Sequence, residues 1–135
     1  MTTVERHVTL PTDLEAAWEL LTRPEDLGAW LGAEVVLDPT PGSAGHVTDH
    51  DGTQRRLVVD RVDEGHRLSW HWWTDGDDAS HVEITLAPTP EGTRVTVVEQ
   101  AAGASVATAQ ASASAWSHRL LHLEALLLVA AAVRG

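Results

Sequence analysis

The sequence has no cysteine and no lysine among its 135 residues. The absence of Cys excludes disulfides, thiolate nucleophiles and Cys-ligated zinc. Its only basic residues besides His are nine Arg, against 20 Asp and Glu, so the formal net charge is −11. Nucleic acids and anionic membranes are bound by basic residues that replace counterions. We therefore expect neither as a partner.

The pattern of a leader peptide and a long apolar run are also missing from this sequence. The segment Met1–Arg6 does not follow the basic-then-apolar plan of a signal peptide. The apolar run Leu126–Val133 is shorter than the ~20 residues that span a bilayer. These features predict a cytoplasmic protein.

Phe and Tyr are absent as well, so the six Trp supply every aromatic ring apart from histidine. Three of them fall within Leu68–Trp73, where apolar and polar residues alternate. This period of two predicts a strand with Leu68, Trp70 and Trp72 on one face. Such a face either packs a core or lines a ligand cavity, and the pattern alone leaves both interpretations open.

The remaining pattern predicts one α+β domain over residues 1–135. Thr12, with Glu15 three residues later, is predicted to cap a first short helix, and Thr22 a second one that has Pro24 in its first turn. A long helix is predicted over residues 105–134, which contain neither Gly nor Pro. Alternation and turn residues predict seven strands, at Val4–Leu10, Glu34–Asp38, Ala44–His50, Thr53–Val62, His66–Thr74, Ser80–Ala87 and Thr93–Gln100.

A series of motifs extends over nearly the whole chain: Ala17–Leu31, Asp38–Gly42, Asp51-Gly52, Val62-Asp63, Arg67–Trp72, Gly92–Val97 and Trp116. In order and spacing they resemble the SRPBCC (START-like, helix-grip) superfamily, in its Hsp90 ATPase activator homologue-like branch. The resemblance implies a curved antiparallel seven-stranded sheet around a long C-terminal helix, with two short helices after the first strand. Members bind lipids, hormones or polyketides, and some cyclise or hydrate them.

The resemblance also implies a cavity between the sheet and the last helix. Its expected ligand-binding residues are Trp30, Gly45, Val47, Val59, Trp70, Trp72, Ile84, Val97, Ala113, Trp116 and Leu120. This chain departs from the family where bulky inward aromatics are usual, because Gly45 and Val47 stand there. The start of the last helix is built almost entirely of Ala, Ser and Thr. The sequence leaves two interpretations open, a roomier pocket at one end or a close approach of helix to sheet.

Three charged residues are candidates for catalysis inside such a cavity. Glu99 continues the inward face of Val95 and Val97, where burial would raise its pKa and suit it to acid or base chemistry. The alternative is that it faces water or pairs with Arg61. Asp49 follows the inward parity but lies beside a hairpin turn, and an inward Arg61 could bind a ligand carboxylate or form a salt bridge at the sheet edge.

No metal site or cofactor is predicted. His46 and His50 would lie ~13 Å apart on a strand. The pairs His71 with His81 and His118 with His122 each lack a convincing third ligand.

Three functions are consistent with these observations. The first is the binding of a small hydrophobic molecule, the second a polyketide cyclase-like or dehydratase-like enzyme, and the third an Hsp90-type co-chaperone. The last helix is apolar nearly all round, with Leu121, Leu126, Leu128 and Val129 partly outside its main stripe. That pattern favours a homodimer, unless the strands and short helices cover the helix.

Overall fold

In the computed structural model, residues 2–103 and 105–134 are described, with side chains as far as residue 128. Seven strands and three helices follow one another along the chain. They are β1 (Thr2–Leu10), α1 (Leu14–Thr22), α2 (Pro24–Trp30), β2 (Glu34–Val36), β3 (Ala44–Thr48), β4 (Gln54–Asp63), β5 (Arg67–Trp73), β6 (Ser80–Thr89), β7 (Gly92–Ala101) and α3 (Val106–Arg134).

The strands form one antiparallel sheet in the order β1-β7-β6-β5-β4-β3-β2. Strands joined by short turns lie side by side, as expected for hairpins. The first strand pairs with the last, with Val4 opposite Glu99 and Val8 opposite Val95. The long helix α3 packs against this sheet, and α1 and α2 complete the α+β helix-grip fold.

The core lies between the inner face of the sheet and α3. Leu68, Trp70 and Trp72 are buried on β5, as the alternation predicts, and His71 between them is exposed. Trp116 and Leu123 of α3 are fully buried against them. Indole side chains bury a large area each, so these Trp residues take the part that Phe and Tyr play in other cores.

The helix caps differ from the predicted ones. The N-cap of α1 is Asp13, whose carboxylate accepts a hydrogen bond from the backbone N–H of Ala16 at 2.8 Å, and not Thr12. The N-cap of α2 is Arg23, which makes no side-chain cap bond, whereas the hydroxyl of Thr22 donates to the carbonyl of Trp18. Adjacent Thr and Asp are both good caps, so the pattern fixed the helix start only to within one residue.

A β-bulge in β4 changes which side chains face inward. The pairing of β4 with β5 shifts between Val59 and Arg61, so the extra residue Asp60 reverses the alternation. Val62 consequently packs against the core, and Arg61 points outward, 59% exposed and in a salt bridge with Asp63 at 3.1 Å. An inward Arg61 and its pairing with Glu99 are therefore wrong, and the alternative of a salt bridge is the arrangement found.

Gly45 allows two segments of chain to pass close together. A Cβ atom placed on Gly45 would lie 2.1 Å from the carbonyl oxygen of Val36. The glycine therefore admits the backbone at the end of β2 and does not enlarge a cavity. At this position the close-approach interpretation applies, although the partner is a strand and not the helix.

Candidate functional site

A cavity of 730 Å³ lies between the first half of α3 and one end of the sheet. Strands β5, β6 and β7 contribute Trp72, Trp73, Ser80 and Glu99 to its wall, and the turn before β4 contributes Asp51. Exposed residues such as Asp77 and Asp78 border its mouth. The other lining residues are Thr2, Val4, Asp49, Arg55, Thr74, Ala101, Ala102, Gly103, Ser105, Thr108, Ala109, Ala111, Ser112, Ala115 and Arg119.

The small residues of α3 account for the position of this cavity. Thr108, Ala109, Ser112 and Ala115 face the sheet on successive turns and line the space. One residue further along, Trp116 fills the gap between helix and sheet. Of the two interpretations of the small-residue segment, a pocket at one end is therefore the arrangement found.

Glu99 lies at the inner wall of the cavity and accepts four hydrogen bonds. Its Oε2 accepts from Trp72 Nε1 at 2.7 Å and from the Ser80 hydroxyl at 2.6 Å. Its Oε1 accepts from Trp116 Nε1 at 2.9 Å and from the Ser112 hydroxyl at 2.6 Å. One carboxylate thus joins three neighbouring strands to α3, and it faces inward as the alternation of β7 indicates.

These donors decide the ionisation of Glu99. Burial raises the pKa of this carboxyl, but the hydrogen bonds from Ser112, Ser80, Trp72 and Trp116 together outweigh burial and bring its pKa below the ordinary 4.5. The prediction of a raised pKa is therefore wrong, because it counted burial and not the donors. Glu99 is ionised at neutral pH and has no proton to give as a general acid.

A second buried charge, Arg119, lies on the next turn of α3. Its Nε donates to the carbonyl of Leu31 at 3.0 Å, and its Nη2 donates to Asp49 Oδ1 at 3.1 Å. Asp49 also pairs with Arg55, so one carboxylate lies between two guanidinium groups. Burial lowers the pKa of Arg119 and Asp49 raises it, yet a guanidinium stays charged at any physiological pH. Asp49 is 16% exposed and part of this network, despite its place beside a turn.

Trp72 is at the centre of the charged groups. The guanidinium carbons of Arg55 and Arg119 lie 4.9 and 5.2 Å from the centre of its ring. The ring of Trp116 stacks on it with centroids 5.6 Å apart, and Arg119 lies 4.6 Å from the centre of that ring too. Cations attracted to indole faces in a partly dry site hold their position well. The inner wall is therefore rigid, aromatic and nearly neutral.

A smaller cavity of 230 Å³ lies on the other side of Arg119. It shares Asp49, Asp51, Ala115 and Arg119 with the larger one. Its remaining lining residues are Trp30, Leu31, Gly32, His50, His118 and His122. The buried indole N–H of Trp30 has no hydrogen-bond partner among the described residues.

Few of the expected ligand-binding residues reach either cavity. Trp72 lines the larger and Trp30 the smaller. The middle of the space between sheet and helix is filled by side chains. Most of the expected ligand-binding residues are packed there and line neither cavity. The residues packed there are Val47, Val59, Trp70, Ile84, Val97, Trp116 and Leu120, with Ala113 against them, and Gly45 lies against the β2 backbone.

Arg55 and Arg119 are site residues that the sequence patterns did not indicate. Arg119 lies three residues after Trp116 and four before Leu123, on the apolar stripe of α3. A single Arg on such a stripe is the signal that could have identified it. Among the residues described, no group of three or more His, Cys, Asp or Glu could hold a metal ion.

Comparisons with known proteins agree with this architecture. Residues 11–128 match the family described as Activator of Hsp90 ATPase homolog 1-like protein. DynU16, a protein of the dynemicin biosynthetic locus, has a crystal structure that superposes with a TM-score of 0.85 at 25% identity. That match covers 93% of this chain and 46% of DynU16, so the chain spans about half the length of that protein.

Two further structures share the fold. MLL2253 from Mesorhizobium loti is 24% identical with a TM-score of 0.85, over 93% of this chain and 96% of that one. The Aha1 dimer from Colwellia psychrerythraea, solved in solution, is 15% identical with a TM-score of 0.82, over 94% and 96%. No curated protein matches the chain. In the described part of the chain, the helices are all too short or too polar to cross a membrane.

Proposed function

The chain belongs to the Activator of Hsp90 ATPase homolog 1-like family, and on that premise we propose that it binds a small hydrophobic molecule in the cavity beside α3. The observation that carries the proposal is the 730 Å³ space between Trp72 and the small residues of α3. Ligand sites of drug-sized molecules typically occupy about 300–1,000 Å³ and combine apolar walls with a few fixed polar groups.

The walls of the cavity suit a flat apolar body. Trp73 offers a half-buried indole on the sheet side, with the buried Trp72 next to it, and Ala109 and Ala115 offer a smooth surface on the helix side. The carboxylate of the inner wall already has its partners, since Glu99 accepts four hydrogen bonds. A ligand therefore does not need to satisfy that carboxylate, and its apolar part can lie beside Trp73 at no cost in lost hydrogen bonds.

A cavity-filling variant tests this proposal. Ala109→Leu adds a branched side chain to the helix wall, and Ala107→Leu adds the same side chain at an exposed position of α3 outside the cavity. Nile red is the probe, and its fluorescence is titrated against each protein. We expect binding to the native protein and to Ala107→Leu, and a loss of about tenfold or more in Ala109→Leu. Equal binding to both variants, or none to the native protein, would reject the proposal.

A polyketide cyclase-like or dehydratase-like enzyme is the second candidate. The similarity to DynU16, from a biosynthetic locus, favours it. The carboxylates weigh against it, because the Glu99 oxygens already accept four hydrogen bonds that lower their basicity, and Asp49 is paired with two Arg residues. The third candidate, a co-chaperone, rests on the family description alone.

We further propose a homodimer, with the cytoplasm as its location. Leu121 and Leu128 of α3 are 59% and 64% exposed, whereas Leu126 packs against the core. Residues seven apart lie on one face of a helix, so the two exposed Leu side chains form an apolar stripe that a second copy could cover. The dimer from Colwellia psychrerythraea shows that this fold supports such an assembly.

A further inference from the structure

We infer that the guanidinium of Arg119 binds a negatively charged oxygen of the cavity ligand, so that the ligand is a flat hydrophobic acid. The inference rests on the proposed function and adds the chemical class of the ligand. It starts from the hydrogen-bonding capacity of Arg119, which the protein itself uses only in part.

Arginine carries five N–H groups in one plane. In Arg119, the Nε–H donates to Leu31 and one Nη2–H donates to Asp49. Nη1 has no partner among the described residues, and neither has the second N–H of Nη2. An N–H group that is buried without a hydrogen-bond partner costs free energy. The space around these N–H groups therefore indicates which ligand group they bind.

Nη1 retains access to open space although the side chain is only 9% exposed. The buried side-chain polar atoms without a partner in the described chain are those of Trp30, Trp70 and Thr89, and Nη1 is not one of them. Arg119 lines both cavities, so the open space that Nη1 reaches is cavity space. A desolvated guanidinium with free N–H groups favours the planar acceptor pair of a carboxylate, or a phenolate oxygen.

The position of Arg119 also orients the ligand. The guanidinium lies 5.2 Å from the ring of the buried Trp72, so an acid held by Nη1 places its apolar body beside the aromatic wall of the larger cavity. The mouth carries the exposed carboxylates of Asp51, Asp77 and Asp78, which disfavour an anion there. The charged end of the ligand therefore lies deep at Arg119, and its neutral end lies at the mouth.

A pair of ligands of the same shape tests the inference. 2-Naphthoate carries a carboxylate, and 2-naphthamide is its neutral counterpart, so calorimetric titration of both measures the contribution of the charge. We expect the native protein to bind 2-naphthoate about tenfold or more tightly than 2-naphthamide, as one charge-assisted hydrogen bond provides. Equal binding of the two would overturn this inference and leave the proposed function standing. Binding of neither would also overturn this inference, and the Nile red titration then decides separately whether the proposed function stands.

Variants then identify the residue that binds the carboxylate of the ligand. Arg119→Gln should remove the preference for the acid, and Arg56→Gln, an exposed Arg outside both cavities, should keep it. Asp49→Asn should increase the preference, because the guanidinium then lacks its neutralising carboxylate. This gain keeps the test valid if Arg119→Gln does not fold.

Two outcomes would reject the assignment to Arg119 in the larger cavity. One is a preference that Arg55→Gln removes and Arg119→Gln keeps, since Arg55 also lines that cavity. The other is acid binding that Ala109→Leu leaves unchanged, which would place the anion in the smaller cavity.

Discussion

The carboxylate of Glu99 joins the sheet to α3 through four hydrogen bonds. The four donors come from β5, β6 and two successive turns of α3, so the carboxylate fixes the distance between sheet and helix beside the cavity. Buried polar networks of this kind stabilise a structure when every member has a partner. The indoles of Trp72 and Trp116 are oriented by the same bonds, and Trp72 is a wall of the cavity.

Glu99→Gln should lower the free energy of unfolding by about 2 to 4 kcal/mol, because an amide nitrogen cannot accept: one indole N–H loses its partner, and a serine hydroxyl must turn to accept instead. Urea denaturation measures the change. Glu91→Gln, an exposed residue between β6 and β7, is the matched control and should change stability by less than about 0.5 kcal/mol.

The difference in unfolding free energy between the native protein and Glu99→Gln should depend on pH. Because the folded-state pKa of Glu99 is lower than its ordinary 4.5, the ionised carboxylate contributes stability above that pH. The contribution is lost as the pH falls through the lowered pKa. The difference in unfolding free energy between the native protein and Glu99→Gln should therefore be constant near neutral pH and shrink below about 4.5. A difference that grows in acid would contradict the lowered pKa.

At the scale of elements, close packing of β2 against β3 depends on Gly45. Gly45→Ala should destabilise the protein by about 1 to 3 kcal/mol, because its Cβ would overlap the backbone carbonyl of Val36. Thermal and urea unfolding measure the loss. Gly28→Ala in α2 is the control, since its Cβ would meet nothing closer than 3.9 Å and alanine favours a helix. An unchanged stability in Gly45→Ala would mean that β2 can move aside freely.

Periodicity predicted the helices, the strands and most of their buried faces. It failed where one extra residue in a strand reverses the alternation of inward and outward side chains. The inward Trp70 and Trp72 and the outward His71 follow from alternation alone. Arg61 does not, because the extra residue at Asp60 reverses the parity and leaves no mark in the pattern.

The cavity was harder to predict than the strands. Small residues at the start of α3 indicated extra space, but its polar wall depends on contacts between distant parts of the chain. Arg119 and Asp49 are 70 residues apart, and Glu99 and Trp72 are 27 apart. Local patterns cannot pair such residues, since fold geometry alone decides which side chains converge.

At the scale of the whole molecule, charge and apolar surface act in opposite directions on self-association. Two copies that each carry a formal charge of −11 repel one another. The exposed stripe of Leu121 and Leu128 favours contact between copies. Salt screens the repulsion between exposed charges and leaves the burial of apolar surface nearly unaffected.

We therefore expect a dimer whose dissociation constant falls as sodium chloride is added, measured by sedimentation equilibrium. Replacing both Leu121 and Leu128 by Gln should yield a monomer at every salt concentration, because the apolar area that offsets the repulsion is gone. Val106→Gln, 75% exposed at the other end of α3, is the control and should dimerise like the native protein. A native protein that stays monomeric in high salt would contradict the dimer. Dimerisation that survives the double substitution would place the contact on another surface.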